Sequence, residues 1–242
     1  IIIIKKIEYA KIRNKYINIM VLESTYNTNK KFEIGVDEAG KGPMFGRVYS
    51  AAVILPKCEF RHDLMKDSKK FTSVKKIREA YDYIKSNATA YSVEYIEPDV
   101  IDKINIREAT LTCMHNAIIG VLDQVNDDKD TFILVDGNDF KPLFRNNESG
   151  FNTIPYVTVI GGDNIYSQIA AASILAKVER DAYIEELCGK NELLIEKYDL
   201  LSNKGYGTKK HMDGIKEYGI TDLHRKSYGI CKRLDITETL KK

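Results

Sequence analysis

The chain has 242 residues, 43% hydrophobic and 30% charged, with a formal net charge of +2. That balance belongs to a globular protein with a buried core and excludes a low-complexity, collagenous or disordered chain. The opening IIII meets charge after four residues, which is too short for a signal-peptide core or for the roughly 20 apolar residues of a membrane helix.

Residues 1–30 are expected to be a variable extension. In FEIGVDEAGKGPMFGRVYSAAVIL, 32–55, two apolar runs of strand character enclose the acids Asp37 and Glu38 and the glycines Gly40, Gly42 and Gly46. So much punctuation means that something approaches this turn closely. Next, Val74, Ile77, Tyr81 and Ile84 recur at helical spacing behind Thr72 or Ser73 as N-cap. AYSVEYI reads as a strand, Pro98 to Val125 as one or two helices, and TFILVD as a buried strand ending on Asp136. NDFKPLFRNNESGFN has the composition of a loop returning to the strand YVTVI. A Gly-Gly-Asp turn then opens a long helix whose Ala170, Ala171 and Ala172 suit close packing on a sheet, and short helices follow.

Cys58, Cys113, Cys188 and Cys231 form no C-x-x-C pair, which argues against zinc and a disulfide framework and for a reducing, intracellular compartment rather than secretion. The histidines His62, His115, His211 and His224 show no ligand spacing. From Leu201 to Lys242 ten Lys/Arg oppose five Asp/Glu, either a solvated face or a surface for an anionic partner.

Asp37, Asp136 and Asp163 each stand where a strand meets a turn, and strand ends are where sheet proteins bring distant side chains together. Gathered carboxylates repel unless a hard cation joins them, and Mg²⁺ takes a few carboxylates together with water and phosphate oxygens. Glu38 joins them if the first strand ends at Asp37 and the following turn rotates it back.

GVDEAGKGP with AAVILP, then DSKK, LVDGN, GGD with IAAASILAKVERD, KGYGT and HRKSY follow one another from Phe32 to Tyr228. In that order they make the chain resemble the type 2 ribonucleases H, the ribonuclease HII family. The resemblance implies an α/β, ribonuclease H-like fold: a mixed central sheet flanked by helices, with a small helical C-terminal region. It implies a catalytic domain at 31–190 and a substrate-binding region at 191–242. The implied activity is hydrolysis of the RNA strand of RNA/DNA hybrids and cleavage 5′ of single ribonucleotides in duplex DNA, leaving 3′-OH and 5′-phosphate ends. Two divalent ions, Mg²⁺ or Mn²⁺, would be held by Asp37, Glu38, Asp136 and Asp163, the catalytic acids.

Carried over by position, Gly40, Lys41 and Gly42 would read the ribose 2′-OH with their backbone, and Tyr206 would stack on the next deoxyribose. Ser68 and Lys69 of DSKK, Lys177 and Lys204 are the further candidates for substrate binding; Ser173, Lys177 and Asp181 lie on one helix stripe, where a Lys177–Asp181 salt bridge explains the pair as well as a phosphate contact does. The chain departs from the family at Lys41, where arginine is usual, at Gly161, where lysine is common, and at Arg47 and Leu223, where proline is frequent. The expected partners are RNA/DNA hybrid and ribonucleotide-containing duplex DNA, with no membrane, bound by a monomer. The rival readings are a sister-type ribonuclease H without junction preference and a non-catalytic nucleic-acid-binding subunit.

Overall fold

The computed structural model describes residues 22–147 and 150–233; most of the N-terminal extension, 1–21, and the end of the basic C-terminal stretch, 234–242, lie outside them. Five strands, β1 (Phe32–Ala39), β2 (Val48–Ile54), β3 (Ala90–Ile96), β4 (Thr131–Asp136) and β7 (Tyr156–Val159), form a mixed sheet in the order β3-β2-β1-β4-β7. β2 runs antiparallel to β1 and β3, whereas β1, β4 and β7 are parallel.

The central strands β1, β2 and β4 are buried on both faces, and alternation decides which face each side chain serves. Ile34 and Val36 of β1, Ala52 and Ile54 of β2, and Ile133 and Val135 of β4 pack with Met114, Ala117, Ile118 and Val121 of helix α3 (Ile106–Val125). On the other face Ala51 and Val53 of β2 meet Ala170, Ala171, Ala172 and Ile174 of helix α4 (Ser167–Lys190). The alanines bring α4 so close that a Cβ at Gly35 would be driven into the Gln168 backbone.

Helix α1 (Val74–Asn87) is capped by Ser73, whose side chain accepts from the Lys76 amide. Its buried positions are Ile77, Ala80 and Ile84; Val74, expected on the inner stripe, is 69% exposed. Between Pro98 and Val125 there are two helices, α2 (Pro98–Ile104) and α3, broken at Asn105, which has φ 70° and caps α3 through Glu108. The segment expected to be a loop carries a hairpin, β5 (Phe144–Asn147) with β6 (Gly150–Thr153), whose exposed Phe144 and Phe151 rings stack 5.3 Å apart. Its apolar side chains pair with each other instead of with the core, so no strand pattern marks it.

The C-terminal part consists of α5 (Leu193–Tyr198), α6 (Leu200–Asn203), α7 (Lys209–Tyr218) and a 3-10 turn at Gly229–Arg233. Leu194, Tyr198, Leu200 and Ile215 extend the same core that lies beneath α4. Residues 22–30 also dock: Leu22 is buried, and Gln168 Nε2 donates to Ser24 O at 2.6 Å.

Gly35→Ala is expected to destabilise the protein by about 3 kcal/mol or more, because backbone rather than a movable side chain occupies the space. Gly189→Ala, in α4 with nothing near its added carbon, should be neutral or stabilising by up to about 1 kcal/mol. Urea denaturation of both variants checks this.

Candidate active site

The parallel register places the acids. Val36 pairs with Val135, so Asp37 and Asp136 are the next positions on adjacent strands. Asp136 pairs in turn with Val159 of β7, after which the chain turns at Gly161, φ 65°, into a 3-10 turn at Gly162–Asn164. The Gly162 amide donates to Asp136 Oδ1 at 2.7 Å, joining that turn to β4. Asp163 follows directly, and its Oδ1 accepts from Asn164 Nδ2 at 2.8 Å. Three strand ends thus deliver three carboxylates to one edge of the sheet.

β1 does not end at Asp37 but continues through Ala39. No turn rotates Glu38: Asp37 and Glu38 point to opposite faces, as strand neighbours do. Asp37 faces α4, where Ser173 lies close enough to favour its charged form. Glu38 faces α3 and lies beside Arg107 and Thr110 in a small recess of about 70 Å³ that Asp136 also lines. Both acids nevertheless reach one larger cleft of about 210 Å³, whose wall includes Asp37, Glu38, Asp136, Asp163, Gly40, Lys41, Gly42, Ser68, Lys69, Lys177 and Tyr206.

The charges in the cleft are frustrated. Burial, then the charges of Glu38 and Asp136, hold the Asp37 carboxyl well above the usual carboxylate range, against hydrogen bonds from Ser173 and the Glu38 amide. Burial and Asp136 raise Glu38, opposed by Lys41 and Lys69; burial, Asp67 and Asp136 raise Asp163, opposed by Lys69. Among the described residues no three carboxylate, imidazole or thiol groups are gathered closely enough to hold a metal ion by themselves.

The other predicted residues divide. Ser68 is buried, and its hydroxyl lies 3.0 Å from Ser173 Oγ, so the two form a hydrogen-bonded pair beneath Asp37. Lys177 lines the cleft and is paired with Asp181. Lys204 is not on the cleft wall; its ammonium bonds Glu185 at 3.0 Å in the neighbouring groove. Gly40 has φ 93°, and an added Cβ would collide with Arg180, so its glycine answers to backbone and packing rather than to an approaching sugar. At Gly42 the added carbon would lie 3.4 Å from the Tyr206 ring, in the gap between loop and ring.

Two buried arginines shape that gap, and the residue-by-residue reading missed both. Arg225 of HRKSY is fully buried and donates to the carbonyls of Gly40 (2.7 Å), Lys41 (3.3 Å), Pro43 (2.8 Å) and Gly46 (2.9 Å). Tyr228 adds a bond to Lys41 O at 2.7 Å. In a planar trans peptide the N–H points away from its C=O, so turning the Gly40 and Lys41 carbonyls toward Arg225 turns the Lys41 and Gly42 amides away from it. Arg180 reaches Lys204 O at 2.8 Å, and its guanidinium carbon lies 5.9 Å from the Tyr206 ring centroid. A basic residue inside a motif was the one available signal; nothing local distinguishes a buried arginine from a phosphate-binding one.

The profile of the ribonuclease HII family matches residues 34–231. The chain belongs to the ribonuclease HII family. It is 40% identical over 207 residues to the ribonuclease HII of Phocaeicola vulgatus, covering 85% of this chain and 92% of that one. The ribonuclease H2 of Pyrococcus horikoshii OT3 has the same fold, with TM-score 0.64, 22% identity, and 83% and 95% of the two chains covered. Bst-RNase HIII, crystallised in complex with Mn²⁺, superposes with TM-score 0.55 at 15% identity, covering 83% of this chain and 71% of that one. The ribonuclease H-like fold expected from the motifs is therefore the fold observed.

Two outcomes follow from the electrostatics. An acid whose folded-state proton affinity is raised costs stability as pH rises above its unfolded value. Asp37→Asn should therefore melt higher than the native protein at neutral pH in chelator, with the difference shrinking as pH falls toward the usual carboxylate range. Arg225→Lys keeps a charge but not the fork, and should cost about 2–4 kcal/mol by leaving buried carbonyls unpaired; thermal melts and denaturant curves measure both.

Proposed function

We propose that this ribonuclease H of type 2, an endonuclease of RNA/DNA hybrids, also cuts 5′ of single ribonucleotides embedded in duplex DNA and leaves 3′-OH and 5′-phosphate ends. In this reading Asp37, Glu38, Asp136 and Asp163 are the catalytic, metal-holding acids. The observation that carries it is one cleft lined at once by those carboxylates, by the Gly40–Gly42 backbone and by Tyr206.

The donor set fits Mg²⁺ or Mn²⁺. All four groups are hard oxygen donors, and at Asp37, Glu38 and Asp163 burial and like charges favour the proton over the free anion, a penalty that a cation removes. An unclosed cage suits an ion that keeps water and takes phosphate oxygens. The Mn²⁺ held by the ribonuclease HIII of this fold supports the same reading. When bound, the ions supply the charge that activates the attacking water and stabilises the departing 3′-oxygen.

The chain's own residues do the rest. Ser68 and Ser173 hold Asp37 toward the cleft, and the Gly162 amide holds Asp136. Lys69 and Lys177 meet the phosphates beside the acids. The Lys41 and Gly42 amides, turned outward by Arg225, take the ribose 2′-OH. The Tyr206 ring, half exposed across from Gly42, lies flat on the next sugar and leaves no room for a second hydroxyl.

Residues 31–190 supply the chemistry in this reading, and 191–242 position the duplex. Among the described residues no helix is long and apolar enough to cross a membrane, and the four cysteines are free; both features suit a monomer working where DNA is replicated in a reducing compartment.

The test compares a duplex carrying one ribonucleotide with an all-RNA/DNA hybrid, each in Mg²⁺ and in Mn²⁺. Asp136→Asn and Asp37→Asn should lose about a thousandfold or more in turnover while still binding substrate; near-normal cleavage by either removes it from the metal-holding set. Tyr206→Ala should lose most single-ribonucleotide cleavage, Gly42→Val should impair every ribose substrate, and Lys41→Arg should be mild. Equal cleavage of the two substrates by the native chain favours the sister-type activity.

Lys69→Ala should weaken binding to all sequences and reduce the salt slope by about one. An unchanged slope in a salt titration assigns Lys69 to the carboxylates alone.

A further inference from the structure

His211 and His224, 13 residues apart and without ligand spacing, meet in the core behind Tyr206. Both are fully buried, and their Nε2 atoms lie 3.1 Å apart. The bonds around them leave one assignment of protons. The Thr221 amide donates to His224 Nδ1 at 3.0 Å, so that nitrogen carries a lone pair and the proton is on Nε2. The Tyr206 carbonyl can only accept, so His211 Nδ1, 2.9 Å away, carries the proton and its Nε2 is bare. His224 Nε2–H therefore donates to His211 Nε2, and all three bonds run one way, from Thr221 through two neutral imidazoles to the backbone of Tyr206.

We propose that His211 is a positioning residue that holds Tyr206 at its distance from the Gly40–Gly42 loop, with His224 fixing its tautomer, and so sets the preference for an RNA-to-DNA junction. This rests on the reading of Tyr206 as the junction-sensing residue. The pair sits on the same segment as Arg225: Gly46 N donates to Leu223 O at 2.8 Å and Arg225 N to Met44 O at 2.8 Å. One short stretch, 221–228, thus grips the ribose-reading loop through Arg225 and the deoxyribose-reading turn through His224. Met44 N to Gly205 O, 2.9 Å, closes the triangle.

A second proton would break the arrangement. Protonated His211 would present Nε2–H to the Nε2–H of His224, two donors face to face. The groups packed on the pair are Phe45 from the loop, Tyr198 from α5, the Tyr206 carbonyl and Thr221, none of them a carboxylate. Burial accordingly pushes His211 down, and burial with the neighbouring imidazole pushes His224 down to about 3. The strut stays neutral across the range in which exposed histidines titrate.

Side-chain amides separate the two halves of His211. Asparagine places its N–H₂ where Nδ1–H stands and keeps the bond to Tyr206 O; glutamine places its amide where Nε2 stands and keeps only the link to His224. For the full chain, the ratio of single-ribonucleotide to all-RNA hybrid cleavage should fall roughly tenfold to a hundredfold in His211→Gln and stay near the native ratio in His211→Asn. Imidazole ¹⁵N shifts of the native protein should show Nδ1–H at His211 and Nε2–H at His224, unchanged from about pH 8 to about pH 5.

A native chain with no junction preference removes the role of Tyr206 and the strut with it. A native preference that survives in His211→Gln, or falls equally in both variants, overturns the strut alone. So does an imidazole in either position that titrates near the ordinary histidine value or carries the opposite tautomer; where a variant does not fold, these native shifts decide.

Discussion

Everything in the molecule is arranged around a repulsion. The parallel register of β1, β4 and β7 brings Asp37, Asp136 and Asp163 to one sheet edge, and Glu38 joins them from the other face of β1. No local preference favours that grouping. It persists because β1 and β4 are fixed by burial on both faces, with side chains such as Ile34, Ile133 and Val135 fully enclosed, each contributing about 1.5–3 kcal/mol. The core thus supplies what the carboxylates oppose, and the proposed cations would relieve that tension.

The half of the cleft proposed to read the sugar is built by the opposite device. Buried cations and neutral imidazoles, alongside the buried Met44 and Phe45, fix the backbone of 40–46 and 203–208. Arg225 has no bound carboxylate; its charge is dispersed over four backbone carbonyls. Such an arrangement is rigid, because each donor has a fixed direction and a misplaced carbonyl would be left unpaired in a dry interior. Discriminating one hydroxyl requires a wall that does not yield, and charged hydrogen bonds to backbone provide a stiffer one than side-chain packing does.

How far the sequence could be read follows from the range of each interaction. The strands, α1, α3 and α4 were legible because alternation and helical spacing are local, and the three strand-terminal acids were legible because a strand end is a local feature. Glu38 required β1 to stop at Asp37, and β1 continues to Ala39; the acid reaches the cleft across its edge instead. The hairpin at 144–153 escaped because it buries nothing. Ser68, Arg180 and Arg225 act over separations such as the 105 residues from Ser68 to Ser173, and composition at one end says nothing of the partner at the other; the His211–His224 pair, 13 residues apart, shows no ligand spacing. The Gly40 glycine was legible, but its cause, Arg180 beneath it, was not.

The departures from the family pattern show the same logic of compensation. Gly161 removes a positive charge expected beside Asp163, yet it takes φ 65°, where a lysine would carry a conformational cost of about 1 kcal/mol. Lys69 lies close enough to lower both Glu38 and Asp163, and Lys70 bonds Asn164 next door. The charge that the turn lacks is thus delivered from DSKK. Arg47 replaces a stiff residue by a held one: it bonds Glu97 at 2.6 Å and lies 3.8 Å and 4.4 Å from the ring centroids of Tyr95 and Tyr183. Proline would fix the strand entry through its own ring; here a cation between two aromatic rings fixes it from outside, and the Gly40–Gly46 loop enters β2 along the same line. What the family pattern specifies at these positions is a charge near Asp163 and a rigid start to β2, and either can be supplied by a residue the motif does not name.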